Sequence, residues 1–528
     1  MEATLRSPVS MAVITVLIFL LPLVSCSPER SERRAGEDQR TGEAPANQKG
    51  SARTEDARET SGDAPEPEAV LVPIAHLTST LRSVGADKLS KVRGLAVGRA
   101  SRGEAGKLLG RSDFEDFNSD GAVVDHVSRT PGALGLVPWD EVGSRVKLLA
   151  VDGESLLDPD AAGPGDYPLM SGSATVPDPE KLRRMVVGGD MVLDRGQNYA
   201  VIQRDMGIDF PLDGGYAAIT GRTPEPSYYS EYGVIHQFTA ERRGGTGVVR
   251  EYLGGADLTL ANLENPVVRN AVYHPEATTF TGDLRLMPVL EQAGIDGVTL
   301  GNNHILDAGA PGLLETLEHL EDAGIAYAGA GADLGGAREP MIFELGGTEV
   351  GVLSYQGVPS YDWAWATETA PGTAPLLADV MVDDLERLRR EVDLAVVMPH
   401  WGKEYVATPE PGQVDLAHAA IDAGADLVVG GHAHWPKGIE MYEGKPIFYG
   451  VGNFLLDQSW SEETSTGIFA EITLYGDRVV QVEAVPFVML DYAQPNFLVP
   501  EAGGERALRG VFSTSLGPEF EAYGDPAR

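Results

Sequence analysis

From about residue 183 the chain alternates short, wholly apolar runs with longer stretches of helical periodicity. Met185-Val186-Val187, Leu258-Thr259-Leu260, Val298-Thr299-Leu300, Leu394 to Met398 and Leu427-Val428-Val429 are too short for helices and have the aliphatic make-up of buried strands. Three predicted helices end in near-identical stops: Gln292-Ala293-Gly294-Ile295-Asp296, Asp322-Ala323-Gly324-Ile325-Ala326 and Asp422-Ala423-Gly424-Ala425-Asp426. In each, the glycine suits the left-handed backbone that follows a last helical turn, and an apolar run then begins. Strands alternating with crossover helices predict an α/β fold.

The pattern differs upstream. Met11 to Val24 is an apolar run of 14 residues, short for a membrane span but right for the core of a secretory signal. It ends in Leu23-Val24-Ser25-Cys26, which resembles the bacterial lipobox. Residues 1–25 are therefore expected to be a lipoprotein signal peptide, with Cys26 lipidated and the chain anchored at the extracellular face of the cell membrane. Residues 27–68 contain no Ile, Leu, Val, Met or aromatic residue, so residues 26–68 are expected to be a disordered tether. Apolar segments return over 69–178, predicting a small α/β domain. Its Gly132 to Trp139 and Asp166-Tyr167-Pro168-Leu169 stretches resemble part of a periplasmic-binding-protein lobe. The main domain is placed at 183–490, and 491–528 reads as a C-terminal extension.

Among 528 residues, 41 basic face 79 acidic side chains, for a net charge of −38. That field opposes nucleic acid as a partner. A single cysteine excludes an intramolecular disulfide and a cysteine-based zinc cluster.

Ligand-type side chains follow one predicted strand after another: Asp190, then Asn262 and Glu264, then Asn302-Asn303-His304, then His400, then His432-Ala433-His434. Carboxyl ends of parallel strands share an edge, so these groups are expected to converge on one crevice. Taken singly, each also fits a plainer role: Gly189-Asp190 a turn, Glu264 a loop carboxylate, His400 a packed or capping imidazole, Asn302-Asn303-His304 a left-handed turn. Four of the ten histidines fall in these motifs, and that concentration favours a metal site.

Gly189 to Gly196, Ala261 to Pro266, Asn302 to Gly309, His400 to Tyr405, Gly431 to His434 and Lys445 to Phe454 occur in the order of the motifs of the CapA capsule-synthesis family, which this chain resembles. The resemblance implies a four-layered, metallophosphoesterase-like β-sandwich flanked by helices, with a two-metal site at one edge. By the same resemblance Asp190 and His434 would hold a first metal, Glu264 would bridge, and Asn303, His400 and His432 would hold a second. His304 would be the catalytic proton donor. Two positions depart from the phosphoesterase pattern: Val192 stands where a histidine ligand is usual, and Glu264 where the bridging aspartate is usual. Mixed oxygen and nitrogen donors suit one or two Mn, Zn or Fe ions. Arg195 and Lys403 are candidates for holding an anionic substrate. The implied role is in poly-γ-glutamate or capsule polymer synthesis or export, with an anionic envelope polymer or its synthase machinery as partner. A metal-dependent phosphoesterase or amidase, and a non-catalytic ligand-binding lipoprotein, are the alternatives.

Overall fold

In the strand Leu182–Met191, Met185 and Val187 point to one side and Val186 to the other, and each side is covered by a different layer. The same alternation holds in Leu258–Leu263, Leu394–Trp401 and Leu427–Val429, which is why these runs are apolar throughout rather than at every second position. The computed structural model describes residues 69–524 except 159–166, 173, 175, 228–232 and 276–277. The expected signal peptide, tether and Cys26 lie outside the described residues.

Two sheets form the main body. One has nine strands, in the order Val234–Gly244, Tyr216–Pro226, Gln494–Leu498, Arg478–Leu490, Thr466–Tyr475, Leu182–Met191, Leu258–Leu263, Gly297–Thr299, Ala326–Ala328. The other has six: Met341–Glu344, Glu349–Gly357, Leu394–Trp401, Leu427–Val429, Lys445–Phe448, Ile439–Tyr442. They pack face to face through Val187, Leu260, Val352, Val396, Val429 and Ile468. Helices Met287–Gln292 and Gly309–Ala323 cover the outer face of the first sheet, and Ala378–Leu388 and Pro411–Asp422 that of the second. The result is the helix-flanked, four-layered α/β sandwich implied by the resemblance. The predicted stops sit where expected: Gly294, Gly324 and Gly424 have φ of 65°, 71° and 109°.

The described part of the expected C-terminal extension, 491–524, is built into this body. Gln494–Leu498 pairs with both Arg478–Leu490 and Tyr216–Pro226, and Val511 and Phe512 of the helix Gly504–Ser513 enter the core between the sheets. The sequence hides this because the strand is short and its Gln494 and Asn496 are polar yet buried.

Residues 69–158 form a five-stranded mixed sheet backed by the helices Arg102–Leu109 and Asp120–Arg129, around Leu71, Ile74, Val97, Val123 and Leu136. Ser119 caps the second helix by accepting from the Ala122 N–H. This sheet is fastened to the main body by Leu148 N–H donating to Gln481 Oε1 at 2.9 Å, by Lys147 with Glu483 at 3.3 Å and by Arg145 with Glu519 at 3.0 Å.

Candidate metal centre

The predicted ligands converge, but from two sheets rather than one. Asp190 ends its strand in the nine-stranded sheet, and Glu264 follows Leu258–Leu263 in the same sheet. His400 lies in a strand of the six-stranded sheet, and His432 and His434 follow another of its strands. All five are buried, Asp190 and Glu264 completely.

Asp190 Oδ1 accepts from Asn262 Nδ2 at 2.8 Å and Oδ2 from the His432 N–H at 3.1 Å, so one carboxylate spans both sheets. His400 Nε2 is 2.9 Å from Asn303 Oδ1 and 3.2 Å from Glu264 Oε1. The second approach lacks hydrogen-bond geometry, and neither Glu264 oxygen has a hydrogen-bond partner among the described residues. His432 Nδ1 is likewise enclosed and unpartnered. His434 Nδ1 lies 2.8 Å from Asn453 Oδ1 and 3.5 Å from Asp190 Oδ2. Both His432 and His434 hold left-handed backbones, φ 81° and 55°, a strain that clusters at working sites. Ligand atoms of Glu264, His400 and His432, and of Asp190, Glu264 and His434, lie within 4.8 Å of one another, giving two triads that share Glu264.

A divalent cation fits these residues. Orphaned buried carboxylate oxygens are costly unless a cation or donor meets them. A Cβ at Gly431 would come 2.9 Å from Asp190 Oδ1 and 3.2 Å from His400 Nδ1, so the glycine keeps that space clear. The electrostatics agree. Burial, then the neighbouring Glu264 charge, raises Asp190 to about 7, and burial raises Glu264 to about 8. Burial lowers His400 to about 4 and His434 to about 3, and pushes His432 well below the usual range. The pocket thus penalises bare carboxylates and keeps imidazoles as neutral lone-pair donors.

His304 sits beside this cluster, its Nδ1 2.9 Å from Asp307 Oδ2 and its ring 4.6 Å from that of Phe280. Burial opposes its charge, but the Asp307 hydrogen bond and the Glu264 charge prevail and its pKa is raised. Arg195 is half-buried with φ 45°, its Nε 2.8 Å from Asp457 Oδ1. Lys403 extends into solvent, its ammonium 4.0 Å from Glu410 and its side chain 74% exposed. The neighbouring Glu404 is turned inward, its carboxyl raised by burial and close enough to feel His304 and His400. Val192 is enclosed in a small apolar cluster with Phe280 and Leu456. Sequence reasoning left out Glu404, Asp307 and Asn453 as site residues. Each lies inside a motif already singled out; Asp307 and Asn453 stand out as polar side chains among apolar neighbours, whereas Glu404, beside Lys403, carries no such mark.

The sequence pattern of a family described as bacterial capsule synthesis protein PGA_cap matches residues 184–458, just over half of the chain. The chain belongs to this family. The PGA_cap segment contains every residue of the two triads. Capsule biosynthesis protein CapA of Bacillus anthracis is 30% identical over 228 residues, covering 42% of this chain and 55% of that protein. A Mycobacterium tuberculosis protein named "probable polyglutamine synthesis accessory protein" is 41% identical over 223 residues, covering 38% of this chain and 56% of its own. The chain thus spans little more than half the length of these PGA_cap relatives. The solved structure of Haemophilus influenzae NAD nucleotidase overlaps 65% of this chain and 58% of its own, at 12% identity and a TM-score of 0.35, too low for a functional comparison.

Proposed function

We propose that this PGA_cap chain is a lipid-anchored envelope protein that takes part in poly-γ-glutamate or capsule polymer synthesis or export, and that its two buried triads hold one or two divalent ions for hydrolysis of a phosphoester or amide in that polymer or its precursor. The observation that carries the reading is Glu264, completely buried, unpartnered at both oxygens and shared by two sets of imidazoles and carboxylates. Asp190 and His434 would hold one ion and Asn303, His400 and His432 the other, with Glu264 between them. When bound, such ions polarise the attacked centre and lower the pKa of water.

The chain's own groups supply the rest. Asp307 takes one ring nitrogen of His304, which fixes the ring and leaves Nε2 to give a proton to the leaving group. Arg195 is ion-paired with Asp457 at the same crevice, without hydrogen-bond geometry, and its guanidinium would meet an anionic part of the substrate. Lys403 is exposed, so its contribution would be to a longer polymer passing the rim.

Metal analysis of the purified chain, coupled to a phosphatase and peptidase panel, tests the site. The parent should retain Mn, Zn or Fe, and His432→Ala should lose most of it. Equal metal content in both would end the metal reading. For the anchor, Cys26→Ala should move the protein from membranes to the soluble fraction, and a variant still membrane-bound would refute lipidation.

A further inference from the structure

Five of the six tryptophans close, or lie in the segments that follow, neighbouring parallel strands of the six-stranded sheet, the same strand ends after which His400, His432 and His434 fall. Trp363 and Trp365 follow Glu349–Gly357, Trp401 closes Leu394–Trp401, Trp435 follows Leu427–Val429, and Trp460 follows Lys445–Phe448. Core packing accounts for Trp401, which is 2% exposed. It does not account for Trp460, which is 37% exposed.

Trp460 forms a corner with Tyr405, ring centres 5.1 Å apart and planes at 73°. Tyr405 also meets Trp435 at 6.4 Å and, on the metal side, His434 at 5.8 Å. Tyr405 is held there on a left-handed backbone, φ 59°, with its N–H bonded to Ala433 O inside the His432-Ala433-His434 turn. The Trp435 indole N–H has no partner among the described residues. An aromatic wall thus begins at the candidate metal ligands and ends at an open indole.

We infer that this corner is a saccharide subsite, in which the Trp460 face stacks on one pyranose ring of an envelope polymer while the adjoining groups act on the next linkage. Edge-on rings leave a single platform rather than the parallel slot that clasps a flat base, and a pyranose offers one apolar C–H face to a single platform. Neutral groups border the open ring: Gln458 Nε2 donates to Tyr405 OH at 3.4 Å, Ser459 is exposed, and Gln237 Nε2 donates to Trp460 O at 2.8 Å; the carboxyl bonded to Tyr405, that of Glu404, is acidic and would repel an anion. The accessible cations around Trp460 are matched by carboxylates, Lys403 by Glu410 and Arg222 and Arg506 by Glu462, while the Lys437 ammonium, which has no hydrogen-bond partner among the described residues, is wholly enclosed. The corner itself therefore offers an anionic group no accessible unmatched cation, and any anionic part of the polymer would be met elsewhere in the crevice, at Arg195.

The inference rests on the polymer-acting reading of the metal site, and the two fail separately. Calorimetric titration of the full-length, metal-loaded chain uses a β-linked N-acetylglucosamine tetramer and a γ-linked glutamate tetramer. The sugar should bind, Trp460→Ala should weaken it about tenfold with metal content unchanged, and Trp363→Ala should leave it within twofold. Sugar binding untouched by Trp460→Ala, no sugar binding at all, or tighter binding of the glutamate tetramer overturns the subsite. Unchanged metal content in His432→Ala overturns the underlying reading instead.

Discussion

His400 Nε2 and Asn303 Oδ1 stand 2.9 Å apart, although 97 positions separate them and they come from opposite sheets of the sandwich. Without a cation the contact is a hydrogen bond from imidazole to amide; with one, both atoms turn their lone pairs to the same centre. Asn303→Ala should therefore weaken metal retention about tenfold or more, and His400→Ala further still. His319→Ala, whose imidazole faces Glu315 on a helix, should leave it unchanged. Competition against a chelating dye measures all three.

The metal-free chain should lose stability as pH rises from 6.5 to 8. Folding raises Asp190 from 3.8 to about 7 and Glu264 from 4.5 to about 8, so the stability they contribute is full only below the lower values and is still being lost as pH rises through about 7 and 8. His400 and His434 are lowered from 6.5 to about 4 and 3, so their contribution is lost only as pH falls below 6.5. Above 6.5 the two carboxylates act together with His304, whose raised pKa also makes its contribution fade as pH rises. Melting temperatures at the two pH values should differ in the chelated parent and differ less in Glu264→Gln; saturating Mn should abolish the decline.

His304→Asn keeps a hydrogen bond to Asp307 but cannot transfer a proton. Turnover of whichever substrate the panel reveals should fall about 10²–10⁴-fold with metal content intact. Asp307→Asn, which only loosens the ring, should cost less. A His304→Asn enzyme with parental kcat would remove His304 from the chemistry.

Lys147 is nearly enclosed, 8% exposed in its side chain, and burial lowers its pKa despite Glu483 at 3.3 Å. Glu483→Ala would leave that ammonium buried beside Arg82 with its main partner gone. The cost should be about 3 kcal/mol in urea denaturation, and Lys147→Met in the same chain should recover most of it. An additive double variant would show that the pair does not couple.

Much of this architecture was legible because local chemistry and global fold agree. Gly294, Gly324 and Gly424 end helices whose periodicity was plain, and the apolar runs before Asp190, Glu264 and His400 are strands. The division into two sheets was not legible from those runs, since a strand buried on both faces carries no mark of which sheet it joins. Gln494–Leu498 was missed because Gln494 and Asn496 are buried for their hydrogen bonds, to Phe210 O and the Gly215 N–H among others. Lys403 and Glu404 show the limit of motif reading: adjacent residues of one motif face solvent and site respectively, and the turn after His400 decides which.

The two sheets meet along a seam of mainly aliphatic side chains, whose packing is non-directional and carries little polar bonding. At one end of that seam Asp190 and Glu264 belong to one sheet and His400, His432 and His434 to the other. A cation seated among them would latch the mouth of the sandwich, adding directional bonds between the sheets at that end to the one that Asp190 already makes with the His432 N–H. Stripping the ion should then be felt mechanically before it is felt chemically: amide exchange should quicken around Gly431 to His434 and Gly452 to Phe454, while the rim at Val482 and Leu474 stays as slow as before.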